Sequence, residues 1–144
     1  MTDRTKIVIN GAGEVGWNAA ELIAVTSPND SLELVLIDIP ESTLAGKARK
    51  LKEVIKAMQF NNQYRNITIT SAFNNDPHLE DYLEGASLVI NAAGFPRNRE
   101  FMYKGKPTTF TERSQLDVAN SENTMAIAHL VGKYAKGALF LQVA

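Results

Sequence analysis

The sequence predicts an α/β protein, a doubly wound parallel sheet of five strands covered by helices on both faces in three layers. Short runs rich in Val, Ile and Leu alternate with longer stretches of helical spacing, the pattern of successive strand, helix, strand units. The first of these runs leads straight into glycines at 11, 13 and 16, where the first crossover helix must begin. The 144 residues suit one domain, 1–144, with one core, and no repeat or linker divides them.

The elements follow in order. TKIVIN (5–10) is the first strand and residues 15–25 the first crossover helix. ELVLID (33–38) is the second strand. Leu44, Ala48, Leu51, Ile55 and Met58 then recur at steps of four and three, the stripe of an amphipathic helix that leaves Lys47, Lys50, Lys52 and Lys56 for a solvated face. Residues 67–70 give the third strand. Residues 76–84 give a short helix in which Asp76 and Pro77 serve as cap and first helical position and Gly85 ends the run. SLVINA (87–92) is the fourth strand, 112–134 the longest helix, and 139–143 the fifth strand. Right-handed crossovers put these strands in the order 3-2-1-4-5. Between the fourth strand and the last helix, residues 94–111 hold Pro96, Gly105 and Pro107 without clean periodicity, which predicts a long functional loop of the kind that closes over a site.

Composition excludes several kinds of chemistry. A net charge of −1 offers no basic face for nucleic acid, and no apolar run approaches the ~20 residues of a membrane span. There is no cysteine, there are only two histidines, and no cluster has metal-ligand spacing. The opening residues run directly into a strand with no signal-peptide core, which points to the cytoplasm.

The chemistry sits in Gly11, Ala12, Gly13, Glu14, Val15 and Gly16, a GxGxxG between a strand and a helix. There the glycines serve a tight turn, a close approach to pyrophosphate, and helix–strand packing, while the N–H groups of the helix tip receive the anion. Asp38 ends the second strand about 20 residues on, where an acid takes both ribose hydroxyls of an adenosine and repels a 2′-phosphate. The pair predicts the Rossmann fold and NAD in preference to NADP. Trp17 reads as packing, and His78 and His129 as surface or packing residues, since neither lies near a strand end that would face the cofactor.

Four segments carry a resemblance to the lactate/malate dehydrogenase family: GAGEVG, VLIDIPESTLAGKARKL, LVINAAGFPR and RSQLDVAN. The resemblance spans essentially the whole chain. It implies that Arg97 binds the distal carboxylate of a dicarboxylic 2-hydroxy acid such as malate, through the paired hydrogen bonds a guanidinium makes with a carboxylate. It also implies that Arg113 contacts substrate and polarises the carbonyl, and that Asn120 and Val143 contact NAD. The two loop arginines stand farther apart here than in the family, with Arg99 between them, and Lys50 replaces a common acid. Residues 140–144 resemble the strand before the family's Asn-Pro turn, beyond which its catalytic His and Asp lie. The resemblance therefore implies a chain that binds NAD without turnover, from a full-length parent that is homo-oligomeric. GAGEVG followed by an acid also resembles the nucleotide-sensing regulatory domains of potassium transport proteins, which explain neither Pro96-Arg97 nor the Arg113 to Asn120 spacing.

Overall fold

The computed structural model describes residues 4–27, 31–60 and 66–143. Five parallel strands, β1 (Thr5–Asn10), β2 (Ser31–Asp38), β3 (Asn66–Phe73), β4 (Leu88–Asn91) and β7 (Leu139–Gln142), form one sheet in the order β3-β2-β1-β4-β7. Counted among the parallel strands alone, that is the predicted 3-2-1-4-5. Helices α1 (Glu14–Thr26), α2 (Leu44–Phe60), α3 (Leu79–Leu83) and α4 (Arg113–Tyr134) make the crossovers.

Both faces of the sheet are covered because neighbouring strand residues point to opposite sides. Ile9, Leu34 and Leu36 pack with Ala20 and Ala24 of α1 and Leu51 and Ile55 of α2. Their neighbours Val8, Val35 and Ile37 pack with Leu83 of α3 and Ile127 and Val131 of α4. Trp17 packs against the first of these clusters, as its sequence position suggests. No helix among the described residues is long and apolar enough to cross a membrane.

Three expectations need correction. Helix α3 does not start on Asp76 and Pro77: His78 holds the N-cap position, and Asp76 instead accepts the His78 N–H at 2.8 Å, closing a turn ahead of the helix. Strand β3 starts one residue before 67–70 and runs three residues past it, paired with β2 from Ser31↔Asn66 to Asp38↔Phe73. The largest difference is in residues 94–111, which are not irregular. They hold an antiparallel hairpin of β5 (Glu100–Tyr103) and β6 (Lys106–Thr109). Its tip, Lys104 and Gly105, has φ of 50° and 76°, and two consecutive positive values are what a two-residue hairpin turn with the right twist demands. A lysine at such a position and a proline inside a strand both mask the hairpin in the sequence.

Candidate functional site

The C-terminal ends of β1, β2 and β4 open into a cleft of about 670 Å³. Glycine-loop backbone and Asp38 form one side of it, the exit of β4 and the hairpin another, and α4 a third. This is the crevice at the strand-order reversal, where ligands of such sheets bind.

The three motif glycines are not equivalent. Gly11 has a φ of 94°, and a Cβ there would lie 2.4 Å from the backbone nitrogen of Ala93. A Cβ on Gly16 would lie 1.8 Å from the Gly11 carbonyl oxygen. Packing of the chain on itself dictates both. Gly13 meets nothing within 4 Å, lines the cleft, and holds the N-cap position of α1 without a side-chain cap. The first N–H groups of α1 thus face open space across a bare backbone, a cradle that a side chain would fill. Glu14 and Val15 begin the helix, both exposed.

Asp38 lies beside that cradle. The Ala12 N–H donates to its Oδ2 at 3.2 Å and the Ile39 N–H to its Oδ1 at 2.9 Å, so the carboxylate is held by backbone while each oxygen keeps a lone pair for a hydroxyl. The other side of the Ala12 peptide is also held, because the Lys47 ammonium donates to its carbonyl. Lys47 is therefore no part of a solvated face; it reaches from the first turn of α2 onto the glycine loop.

The loop residues are distributed differently from the expectation. Arg97 is exposed, and its Nε donates to the Thr111 carbonyl at 3.2 Å; Arg113 is the exposed first residue of α4. Neither lines the cleft, whereas Arg99 does. Asn120 accepts the Phe95 N–H at 3.0 Å and so pins the chain as it leaves β4. Val143 extends the β7 ladder through its N–H to the Asn91 carbonyl and is half exposed. His78 and His129 are both exposed and away from the cleft wall.

Two features went unread in the sequence. The hairpin is held by four rings: Phe101, Tyr103 and Phe110 surround Phe95 at centroid distances of 5.4, 5.2 and 6.1 Å. On its outer side, Tyr103 Oη donates to Glu122 of α4 at 3.2 Å and Lys104 pairs with the same carboxylate at 3.1 Å. Lys104, and Tyr103 after it, hold the Glu122 carboxyl below the usual carboxylate range, while Glu122 raises Lys104. The other feature is a row of amides across the sheet. Asn10, Asn91 and Gln142 are register partners, with Asn10 Nδ2 donating to Asn91 Oδ1 (2.9 Å) and Asn91 Nδ2 to Gln142 Oε1 (2.8 Å). The repeated Val-Ile-Asn at 8–10 and 89–91, each just before a small-residue turn, was the signal available for it.

No family model matches the chain. A malate dehydrogenase of Aquifex aeolicus is 28% identical over 152 residues, covering 99% of this chain, which spans only 40% of that protein's length. Among solved structures, the apo malate dehydrogenase of Picrophilus torridus superposes with a TM-score of 0.77 at 21% identity, over 99% of this chain and 38% of that one. The malate dehydrogenase of Archaeoglobus fulgidus, solved with NADH, gives 0.65 at 23% identity, over 97% of this chain and 40% of that one. At those identities the structural likeness establishes the Rossmann fold. Along one Rossmann domain, the chain is similar in sequence and in fold to malate dehydrogenases.

Proposed function

We propose that this domain binds NAD in the cleft and serves an oxidoreductase that exchanges a hydride with a 2-hydroxy dicarboxylic acid, malate or oxaloacetate being the best fit. The observation that carries the reading is the contact between the Ala12 peptide and Asp38, which sets an acid next to a bare helix tip. Gly11, Ala12, Gly13, Glu14, Val15 and Gly16 receive the pyrophosphate through backbone N–H groups, and Asp38 accepts from the adenosine ribose. NAD, when bound, supplies the nicotinamide that accepts or gives the hydride.

Asn120 acts on the cofactor through Phe95, a cleft residue whose N–H it holds, and Val143 is a cofactor contact by resemblance. Arg97 and Arg113 are the substrate arginines by resemblance. Arg97 spends Nε on Thr111 and keeps its two terminal nitrogens for a carboxylate. No histidine lines the cleft among the described residues, so residues 1–144 by themselves bind without transferring the substrate proton. The test is an NADH fluorescence titration of the purified chain beside Asp38→Ala. Saturable binding that weakens about ten- to a hundredfold in the variant supports the reading, since hydrogen bonds to a charged group contribute ~1.5–3 kcal/mol. Equal affinity of the two proteins, or malate oxidation by the chain alone, contradicts it.

A further inference from the structure

The cleft floor carries a polar group that neither the glycine loop nor Asp38 explains. Asn10 is 92% shielded, with a relative exposure of 8%, yet it lines the cleft. Its Nδ2 donates to Asn91 Oδ1. Its Oδ1 receives no hydrogen bond among the described residues, and no fully buried side-chain oxygen there lacks a partner, so this oxygen opens into the cleft.

The amide cannot turn over to present its nitrogen instead. Asn91 Oδ1 also accepts the Ala93 N–H at 3.4 Å, and Asn91 Nδ2 donates to Gln142. Backbone thus fixes Asn91, and Asn91 fixes Asn10. A flipped Asn10 would set two oxygens against each other in a buried place, which costs more than the contact it replaces. The cleft floor therefore carries an acceptor that cannot become a donor.

Asp38, Glu41, Asn74, Arg99 and Asn123 line the cleft together with an apolar portion. Ile39 follows Asp38 at the end of β2, and Ala126, Ile127 and Leu130 of α4 face the same space. That apolar portion, in the same cleft as the acid that takes an adenosine ribose, suits the base of that nucleoside. We propose that Asn10 Oδ1 accepts a hydrogen bond from the exocyclic amino group of the base, making Asn10 a base-specificity residue that selects a 6-aminopurine over a 6-oxopurine. This rests on the proposed NAD binding and adds to it the choice of base.

The test uses NAD and nicotinamide hypoxanthine dinucleotide, in which a 6-oxo group replaces the 6-amino group and N1 carries a proton. By calorimetry, the wild-type chain should bind NAD about tenfold or more tightly than the hypoxanthine compound, because an oxo group leaves the Asn10 oxygen facing another acceptor. In Asn10→Leu the preference should fall to within about twofold. If wild-type protein binds both compounds equally, the inference is overturned while NAD binding stands; that comparison needs no variant to fold. If Asn10→Leu weakens both compounds by the same factor, Asn10 serves some group other than the base, and the inference again fails. Binding of neither removes the proposed function and this inference with it.

Discussion

The two walls of the cleft are built on different physical grounds. The wall of β1, α1, β2 and α2 is set by backbone sterics: Gly11 and Gly16 leave no room for a Cβ, and the Ala12 peptide is held on one side by Asp38 and on the other by Lys47. The wall after β4 is set by side chains, four aromatic rings that fold a hairpin and one carboxylate that ties it to α4. A steric requirement admits one residue type and so shows in the sequence. A ring cluster admits many, and shows only in three dimensions.

The comparison is broken most easily at the glycines. Gly11→Ala adds an atom 2.4 Å from backbone at a left-handed φ, and the chain leaving β4 at Ala92 and Ala93 must shift to admit it. We expect a loss of about 3 kcal/mol or more in a denaturant melt, with NAD binding lost alongside. Gly13→Ala meets no atom of the protein, so its melt should lie within about 1 kcal/mol of wild type while NADH affinity falls. If both variants destabilise equally, Gly13 is structural and the open cradle is no ligand site.

Phe110, only 8% exposed and within 5.3 Å of both Phe101 and Tyr103, probes the other wall. Phe110→Ala should cost about 3 kcal/mol in the hairpin's own stability. Hydrogen exchange of residues 97–111 should then quicken while that of β1 and β2 is unchanged. Uniform acceleration would mean that the hairpin and sheet form one cooperative unit.

How far the sequence could be read follows the same division. Strand β1 and the expected strand order come from β-branched runs buried on both faces, and Gly11, Gly13, Gly16 and Asp38 from the spacing of one motif. Lys47 is hidden because its position off the apolar stripe marks it as surface, and only the fold shows the Ala12 carbonyl within its reach. Arg97 and Arg113 were assigned by resemblance, yet Arg99 is the arginine on the cleft wall. The hairpin between Arg97 and Arg113 changes the path, so sequence spacing no longer tells which guanidinium faces the cleft. The amide row was missed because an asparagine at a strand end reads first as a turn residue.

The smallest expected effect concerns Glu122 and Lys104. Glu122 is lowered in the folded chain, so its contribution to the hairpin is present above the ordinary carboxylate range and is lost as pH falls through its folded value. Lys104 is raised above 10.5, so its share is present below that pH and fades as pH rises through its folded value. Protection factors at the hairpin tip, measured against intrinsic exchange rates, should therefore be flat through neutral pH, fall in acid and strong alkali, and respond to salt, as an exposed pair requires. A hairpin indifferent to acid would leave the rings as its only restraint.

The account depends on a bare helix tip beside Asp38 receiving the dinucleotide. Titrating NADH into isotope-labelled chain while following backbone amide resonances tests it directly. Saturable shifts at one equivalent, largest for Gly13, Glu14 and Val15, are the predicted result. Unmoved resonances there, whether or not other parts of the chain respond, would contradict it.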